Sequence, residues 1–237
     1  MVPYIAEFAG TTILLFLINC LVANVTLNKS GMKGGGSTQI SFDCGFAVMT
    51  CAFIFGNASG AHFNPAFTIA MAVNGTFAWS MVPGYLVAQF AGAVLGACLS
   101  YTMFKDHFDA TEDQNVIRGV FCTSPTIRNL PRNLLSEVGA TFILVFGIMG
   151  MANVPGLPPG TDKLFLCGII TLIGMTFGGL TGFAINPARD LGPRIAHAIL
   201  PIRNKGDSDW GYAWVPVVGP VLGGLLAVLV FKLIPWG

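Results

Sequence analysis

Ser59-Gly60-Ala61-His62-Phe63-Asn64-Pro65-Ala66 and Thr181-Gly182-Phe183-Ala184-Ile185-Asn186-Pro187-Ala188-Arg189 are near copies, one in each half of a 237-residue chain. Each reads as a loop entering a short helix. Asn64 and Asn186 suit the N-cap, where a side-chain oxygen accepts backbone N–H bonds, and Pro65 and Pro187 suit the first helical position, where a missing N–H costs nothing. The apolar run that follows is about ten residues before Asn74-Gly75 in the first copy and about a dozen before Pro201 in the second. Neither can cross a bilayer, which takes roughly 20 residues of helix. A lone Asn-Pro-Ala marks many ordinary turns, but two copies after Gly-bearing loops, each between long apolar stretches, point to a repeated architectural device.

Outward from these copies the composition is that of a membrane protein. The chain is 54% hydrophobic and 10% charged, against about 25% charged in an average soluble domain, so it has too little polar surface to face water all round. Six stretches are long and apolar enough to span: roughly Tyr4 to Val25, Thr38 to Ala58, Trp79 to Phe104, Leu134 to Ala152, Leu164 to Leu180, and Tyr212 to Ile234. With the two short helices, the count is three spans and a half-span, twice. This predicts an all-α membrane protein, one channel-sized domain over 1–237 built from repeats at about 1–120 and 130–237.

The halves also echo each other in sequence. Ala6-Glu7-Phe8-Ala9-Gly10-Thr11 matches Ser136-Glu137-Val138-Gly139-Ala140-Thr141, and Val82-Pro83 with Gly92 and Gly96 is matched to Val215-Pro216 with Gly219 and Gly223. An odd number of spans per half inverts the second copy in the membrane, so the short helices enter from opposite faces and meet N-terminus to N-terminus near the midplane. Glycines spaced by four, as in Gly56/Gly60, Gly92/Gly96, Gly178/Gly182 and Gly219/Gly223, read as small faces where helix backbones approach closely.

Several classes of function are disfavoured. The formal net charge of +1 offers no nucleic-acid surface, which needs concentrated Lys and Arg. Cys20, Cys44, Cys51, Cys98 and Cys167 lie in apolar spans without paired spacing and read as free, packing thiols. No metal-ligand spacing, cofactor motif or nucleophile–base–orienter cluster is present, so an enzyme is not expected. Met1-Val2-Pro3-Tyr4 lacks the basic region of a signal peptide, and the first apolar run is expected to stay in the mature protein.

At the paired motifs the chain resembles the aquaporin, or major intrinsic protein, family of membrane channels. The longer string Asn186-Pro187-Ala188-Arg189-Asp190-Leu191-Gly192-Pro193-Arg194 is similar to its glycerol-conducting branch, the aquaglyceroporins and bacterial-type glycerol facilitators. The resemblance covers nearly the whole chain. It implies a passive pore for glycerol and other small uncharged solutes, with some water, that excludes ions and protons. It further implies a homotetramer in the lipid bilayer of the plasma membrane, with one pore per subunit and the N-terminus in the cytoplasm. The charges argue for the opposite orientation: Lys29, Lys33, Lys105, Arg118, Arg128, Arg132, Arg203 and Lys205 would be external, with Lys163 and Lys232 internal.

The pore chemistry can be read residue by residue. Non-helical backbone at membrane depth is tolerated where it lines protein or water, so Gly60, Ala61, His62 and Phe63, with Gly182, Phe183, Ala184 and Ile185, are expected to turn a ladder of carbonyls along one side of the lumen, opposite apolar side chains. A polyol, with hydroxyls along one edge and C–H groups along the other, fits such a lane. At the waist Asn64 and Asn186 would aim N–H donors at a passing oxygen, backed by the positive ends of the short helices. Those ends and Arg189 would raise the barrier for cations and hydronium. Glu7 and Glu137, at equivalent places in apolar spans, need donors within reach; the reading preferred here is support of the re-entrant loops, with a helix-end carboxylate or a proton relay as alternatives.

By the resemblance, the constriction maps to Arg189, Phe183, Gly174 and Cys44. Gly174 stands where water-only members carry His, and leaves room for a carbon chain. Cys44 departs from the pattern, since glycerol facilitators often carry an aromatic there; its small thiol would widen the opening and admit dihydroxyacetone, urea or protonated lactic acid. Asp190 accompanies a wider pore in the family, and a local pair with Arg194 is its plainer reading. His62 reads as structural, its ring bonded to backbone. His107 and His197 read as solvated, and Tyr85, Trp79, Trp210, Trp214 and Trp236 as interface anchors. A coupled secondary transporter, which also shows inverted repeats and broken helices, is the alternative, with a non-conducting scaffold protein behind it.

Overall fold

The computed structural model describes residues 1–236, and among them it is helical throughout, without strands. Six helices are membrane-length: α1 (Val2–Thr26), α2 (Gly36–Ser59), α4 (Val82–Met103, entered through a 3-10 turn at Trp79–Met81), α7 (Leu130–Ala152), α8 (Thr161–Thr181) and α10 (Val215–Leu233). Two short helices, α3 (Pro65–Asn74) and α9 (Pro187–Ile199), are inserted after α2 and α8, so the order is three long helices and a short one in each half. Large apolar side chains lie exposed on every long helix: Ile5, Phe53, Val87, Leu135, Leu172 and Leu229 are each more than half exposed. Such a surface is stable only against lipid.

Long helices pair in equivalent ways in the two halves, α1 with α4 and α7 with α10, while α2 and α8 pack on each other across the molecule. Small residues allow this closeness. A Cβ on Gly92 would stand 2.4 Å from the Phe8 carbonyl oxygen, and one on Gly223 would stand 2.4 Å from that of Val138. Phe8 and Val138 each follow the repeated Glu, so Gly92 corresponds to Gly223. This corrects the pairing read from the sequence, in which Gly92 and Gly96 answered Gly219 and Gly223; equal i, i+4 spacings matched one turn out of register. Gly96 instead contacts the Thr12 carbonyl, and Gly219 lies over the Glu137 side chain. Gly92→Ala and Gly223→Ala should each destabilise the bundle by about 1–3 kcal/mol, because backbone faces backbone and no side chain can yield. Thermal unfolding in detergent, with Gly150→Ala as a control whose Cβ meets nothing within 4 Å, would measure it.

The short helices start as their sequences dictate. The Asn64 side chain accepts from Ala66 N (2.9 Å) and Phe67 N (3.4 Å), and that of Asn186 from Ala188 N (2.9 Å) and Arg189 N (3.3 Å). Helix α3 ends at Gly75, whose φ of 89° suits a residue without a Cβ.

The stretch between α4 and α7 contains two helices that its polar composition concealed, α5 (Lys105–Asp109) and α6 (Gln114–Phe121). Ile117, Val120 and Phe121 of α6 are fully buried over α1 and α9, so this amphipathic turn caps one end of the bundle. That end, carrying 104–129, is termed the outer face below. Two further expectations are corrected. Tyr85 is buried, its hydroxyl donating to Ser59 O at 2.7 Å, and His197 is buried with Nδ1 2.8 Å from Ser208 Oγ. Both lie near helix ends in sequence, but loops fold back over them. Trp79, Trp210, Trp214 and Trp236 are 42–58% exposed.

Candidate functional site

The two re-entrant loops are built alike from strained backbone. After Gly60 (φ 81°) and Gly182 (φ 80°), the non-glycine residues Ala61, Phe63, Phe183 and Ile185 take φ of 52°, 48°, 39° and 47°. Left-handed backbone at such residues costs roughly 1–2 kcal/mol each and persists only where the surroundings impose it. The carboxylates impose it. Glu7 accepts from Ser59 Oγ (2.7 Å), His62 N (2.9 Å), Phe63 N (2.8 Å) and Gln89 Nε2 (2.7 Å). Glu137 accepts from Thr181 Oγ1 (2.6 Å), Ala184 N (3.1 Å) and Ile185 N (2.9 Å). Both carboxylates are fully buried, and every oxygen faces donors, the arrangement that stabilises a carboxylate out of water.

With their N–H groups held on the far side, the loops present oxygens. Among the described residues no protein donor reaches the carbonyls of Gly60, Ala61, His62, Gly182, Phe183 or Ala184. The remaining two cross the midplane: Asn64 Nδ2 donates to Ile185 O and Asn186 Nδ2 to Phe63 O, both at 2.8 Å. Each asparagine amide thus ties the opposite loop with one N–H and retains a second. His62 Nδ1 lies 3.1 Å from Thr68 Oγ1, among the rings of Phe67, Phe77 and Tyr85; its partner is this hydroxyl, where backbone had been anticipated.

A cavity of about 200 Å³ runs beside these groups from Asp162 and Lys163 at the inner mouth to Arg189. Gly60–Phe63 with Asn64 and Asn186 form its polar side, and Leu14, Val48, Leu144, Ile148 and Ile170, from four helices, form its apolar side. A second cavity of about 370 Å³ opens on the outer face. Phe183 and Arg189 line both, so the division between the two lies at these residues.

The four residues assigned to the constriction are placed as follows. Arg189 is 8% exposed, and its guanidinium makes one long hydrogen bond, to Phe121 O at 3.5 Å. Phe183 and Gly174 are neighbours: a Cβ on Gly174 would lie 3.0 Å from Phe183 Cζ and 2.7 Å from Ser41 Oγ. Cys44 lines the inner cavity, one turn along α2 from Ser41. Ser41 therefore belongs to the group around Gly174 and escaped the reading of the sequence, although its three-residue spacing from Cys44 was a signal. Phe121 and Arg118 escaped too, because nothing in the chain order brings α6 to Arg189.

Asp190 does not pair with Arg189. Its carboxylate holds Arg194, with Nε–Oδ1 at 2.8 Å and Nη2–Oδ2 at 3.0 Å, and accepts from Thr123 N and Oγ1. Arg194 also donates to Ser208 O, Asp209 O and Thr123 O. This buried pair joins α9 to two outer loops. Pro65, Ala66, Pro187 and Ala188 are buried at the helix starts and pack the junction.

Comparison with known proteins agrees with this architecture. The sequence model described as major intrinsic protein matches residues 2–231. A probable glycerol uptake facilitator protein of Thermotoga maritima is 45% identical, over 98% of this chain and 99% of that protein. A D/L-lactic acid transporter of Lactiplantibacillus plantarum is 41% identical, over 94% and 93%. Among solved structures, the aquaglyceroporin from Plasmodium falciparum superposes with a TM-score of 0.86 at 29% identity, covering 97% of this chain and 94% of that one. Six lipid-facing spans and two opposed half-helices beside a two-sided lane, matched along almost the whole length, place the chain in the major intrinsic protein family of membrane channels.

Proposed function

We propose that this protein is a passive channel for glycerol and other small uncharged solutes across the plasma membrane, passing some water and excluding ions and protons. One observation carries the reading: five residues whose carbonyls have no protein donor among the described residues, Gly60, Ala61, His62, Phe183 and Ala184, share one cavity with a wall of aliphatic side chains. A polyol sliding there exchanges its water hydrogen bonds for the carbonyls and the free asparagine N–H groups, and its C–H edge meets Leu14, Val48 and Ile170. The relative named a probable glycerol uptake facilitator protein supports this solute. The single domain over 1–237, its repeats at about 1–120 and 130–237, and a homotetramer with one pore per subunit complete the reading.

The placement of these residues supports their filter roles. Arg189 supplies donors for adjacent hydroxyls and, with the half-helix N-termini, opposes cations. Phe183 and Gly174 set the width, and Cys44 widens the inner approach. The lactic acid transporter among the relatives favours extending the range to protonated lactic acid, with dihydroxyacetone and urea of similar bulk. A proton-coupled transporter is the weaker reading, because Glu7 and Glu137 are fully engaged by donors and, among the described residues, no other carboxylate lines the cavity at the waist.

Stopped-flow light scattering on proteoliposomes tests the proposal. Glycerol permeation should be non-saturating, independent of a proton gradient and weakly temperature-dependent; saturation or gradient dependence would point to a carrier. Gly174→His should lower glycerol flux about tenfold, a barrier increase of roughly 1.4 kcal/mol, and water flux by much less. The new side chain must displace Ser41 and Phe183 and narrow the passage at Arg189. Equal loss of both fluxes would refute this account of the constriction.

A further inference from the structure

The outer cavity contains features that a lane for neutral solutes does not require. Two guanidiniums line it, Arg118 and Arg189, and among the described residues no carboxylate does. Asp190 is engaged by Arg194 and Thr123 and Glu137 by the loop, and Asp43, beside Cys44 on α2, does not line the cavity. Arg189 is more than nine-tenths buried, yet among the described residues its guanidinium makes one long hydrogen bond. Arg118 uses Nη2 on Asn115 Oδ1 (2.8 Å) and Nη1 on Asp207 O (3.4 Å), while its Nε is buried without a partner. Ser124 Oγ, in the same wall, is also buried without a partner. Beside these groups the cavity presents Val22, Ile40 and Phe183.

We propose that the outer cavity is a docking site for a small monocarboxylate anion, its carboxylate between Arg118 and Arg189 and its short carbon tail against Ile40 and Phe183. Planar guanidinium donors match a carboxylate's two oxygens, rotation of the unpartnered Ser124 hydroxyl into the cavity would add a further donor, and the apolar wall accommodates a tail that inorganic phosphate lacks. The site would concentrate the ionised form of a weak acid at the entrance of a lane that passes the neutral form. This deepens the channel reading and rests on it for its physiological meaning, but the docking can be measured without any flux.

Saturation-transfer NMR on the full chain in nanodiscs tests it, with lactate as the probe and lactamide as its neutral isostere. Lactate should receive saturation above that from empty nanodiscs and lactamide should not, and the lactate signal should weaken as ionic strength rises. Arg118→Gln should weaken lactate affinity roughly fivefold, in the range of a half-exposed charge pair, whereas Arg118→Lys should keep part of it. Ser124→Ala, which removes one hydroxyl without touching α6, should weaken it as well and guards against a local unfolding of α6 in the arginine variant. Equal signals from lactate and lactamide, lactate binding unchanged in both Arg118→Gln and Ser124→Ala, or displacement of lactate by phosphate more readily than by formate would each overturn the proposal. Isotopic glycerol exchange by the wild-type protein independently tests the channel, so either can fail alone.

Discussion

Glu137→Gln is expected to abolish most solute flux and to lower stability by about 2–4 kcal/mol, although glutamine has the size and shape of glutamate. Both oxygens of Glu137 accept, one from Thr181 Oγ1 and Ala184 N and the other from Ile185 N. An amide must turn its NH2 toward one of these donors. At best it faces Ile185 N–H, losing a hydrogen bond to a charged group, worth roughly 1.5–3 kcal/mol, and setting two donors against each other in a fully buried site. Ile185 is held at a φ of 47° by that bond, so its release lets the loop relax and moves the carbonyl that receives Asn64 Nδ2. Thermal unfolding in detergent and proteoliposome flux report the two consequences. A Glu137→Gln protein with wild-type flux would show that the carboxylate does not hold the loop.

The same change at position 7 should be milder, and the difference comes from the surroundings. Glu7 has a fourth donor, Gln89 Nε2, and Gln89 Oε1 is buried without a partner. Rotating the Gln89 amide would offer that oxygen to a new NH2 at position 7. Helix α10 provides no such help to Glu137: the register set by Gly92 and Gly223 puts Pro220 opposite Gln89.

Asp190→Asn is expected to destabilise the protein by about 3–5 kcal/mol, the usual penalty for stranding one member of a buried ion pair. Arg194 is fully buried, and two of its five hydrogen bonds go to Asp190. Its remaining partners are carbonyls, which cannot neutralise it. The loss should spread to the lane, because Asp190 also fixes Thr123 through two bonds, and Thr123 packs beside Gly182 at the start of the second re-entrant loop. Removing both charges, as in Asp190→Asn with Arg194→Met, should recover part of the stability, since no ion is then left alone in the interior. Thermal unfolding of the three proteins decides it; a double variant no better than Asp190→Asn would show that hydrogen bonding to the loops, rather than charge, dominates here.

Much of the architecture was legible in the chain because membrane constraints are written in composition. Six apolar runs of spanning length, two short capped helices and the repeated Glu7/Glu137 fall where hydropathy and N-cap chemistry put them. Helix α6 was missed although Ile117, Val120 and Phe121 recur at i, i+3 and i+4, because two turns set in a charged stretch are too short to be stable as a helix until that apolar face is covered. The burial of Tyr85 and His197 was hidden for the same reason: exposure near a span end depends on which loop returns over it. Ser41 was one helical turn from a residue already singled out, and only the approach of α8 to α2 decides which of the pair Gly174 touches.

The amino-acid sequence by itself determined the inverted helical plan, the asparagine caps and the paired carboxylates, because each depends on local chemistry or on the uniform demand of lipid for apolar length. Tertiary structure alone decided which glycines are equivalent, that the Asp190–Arg194 pair expected from its spacing is fully buried and tied to two outer loops, and that Arg118 shares a cavity with Arg189. Those relations join residues from 4 to 131 positions apart, and their energies depend on distances and burial that exist only once the helices have packed.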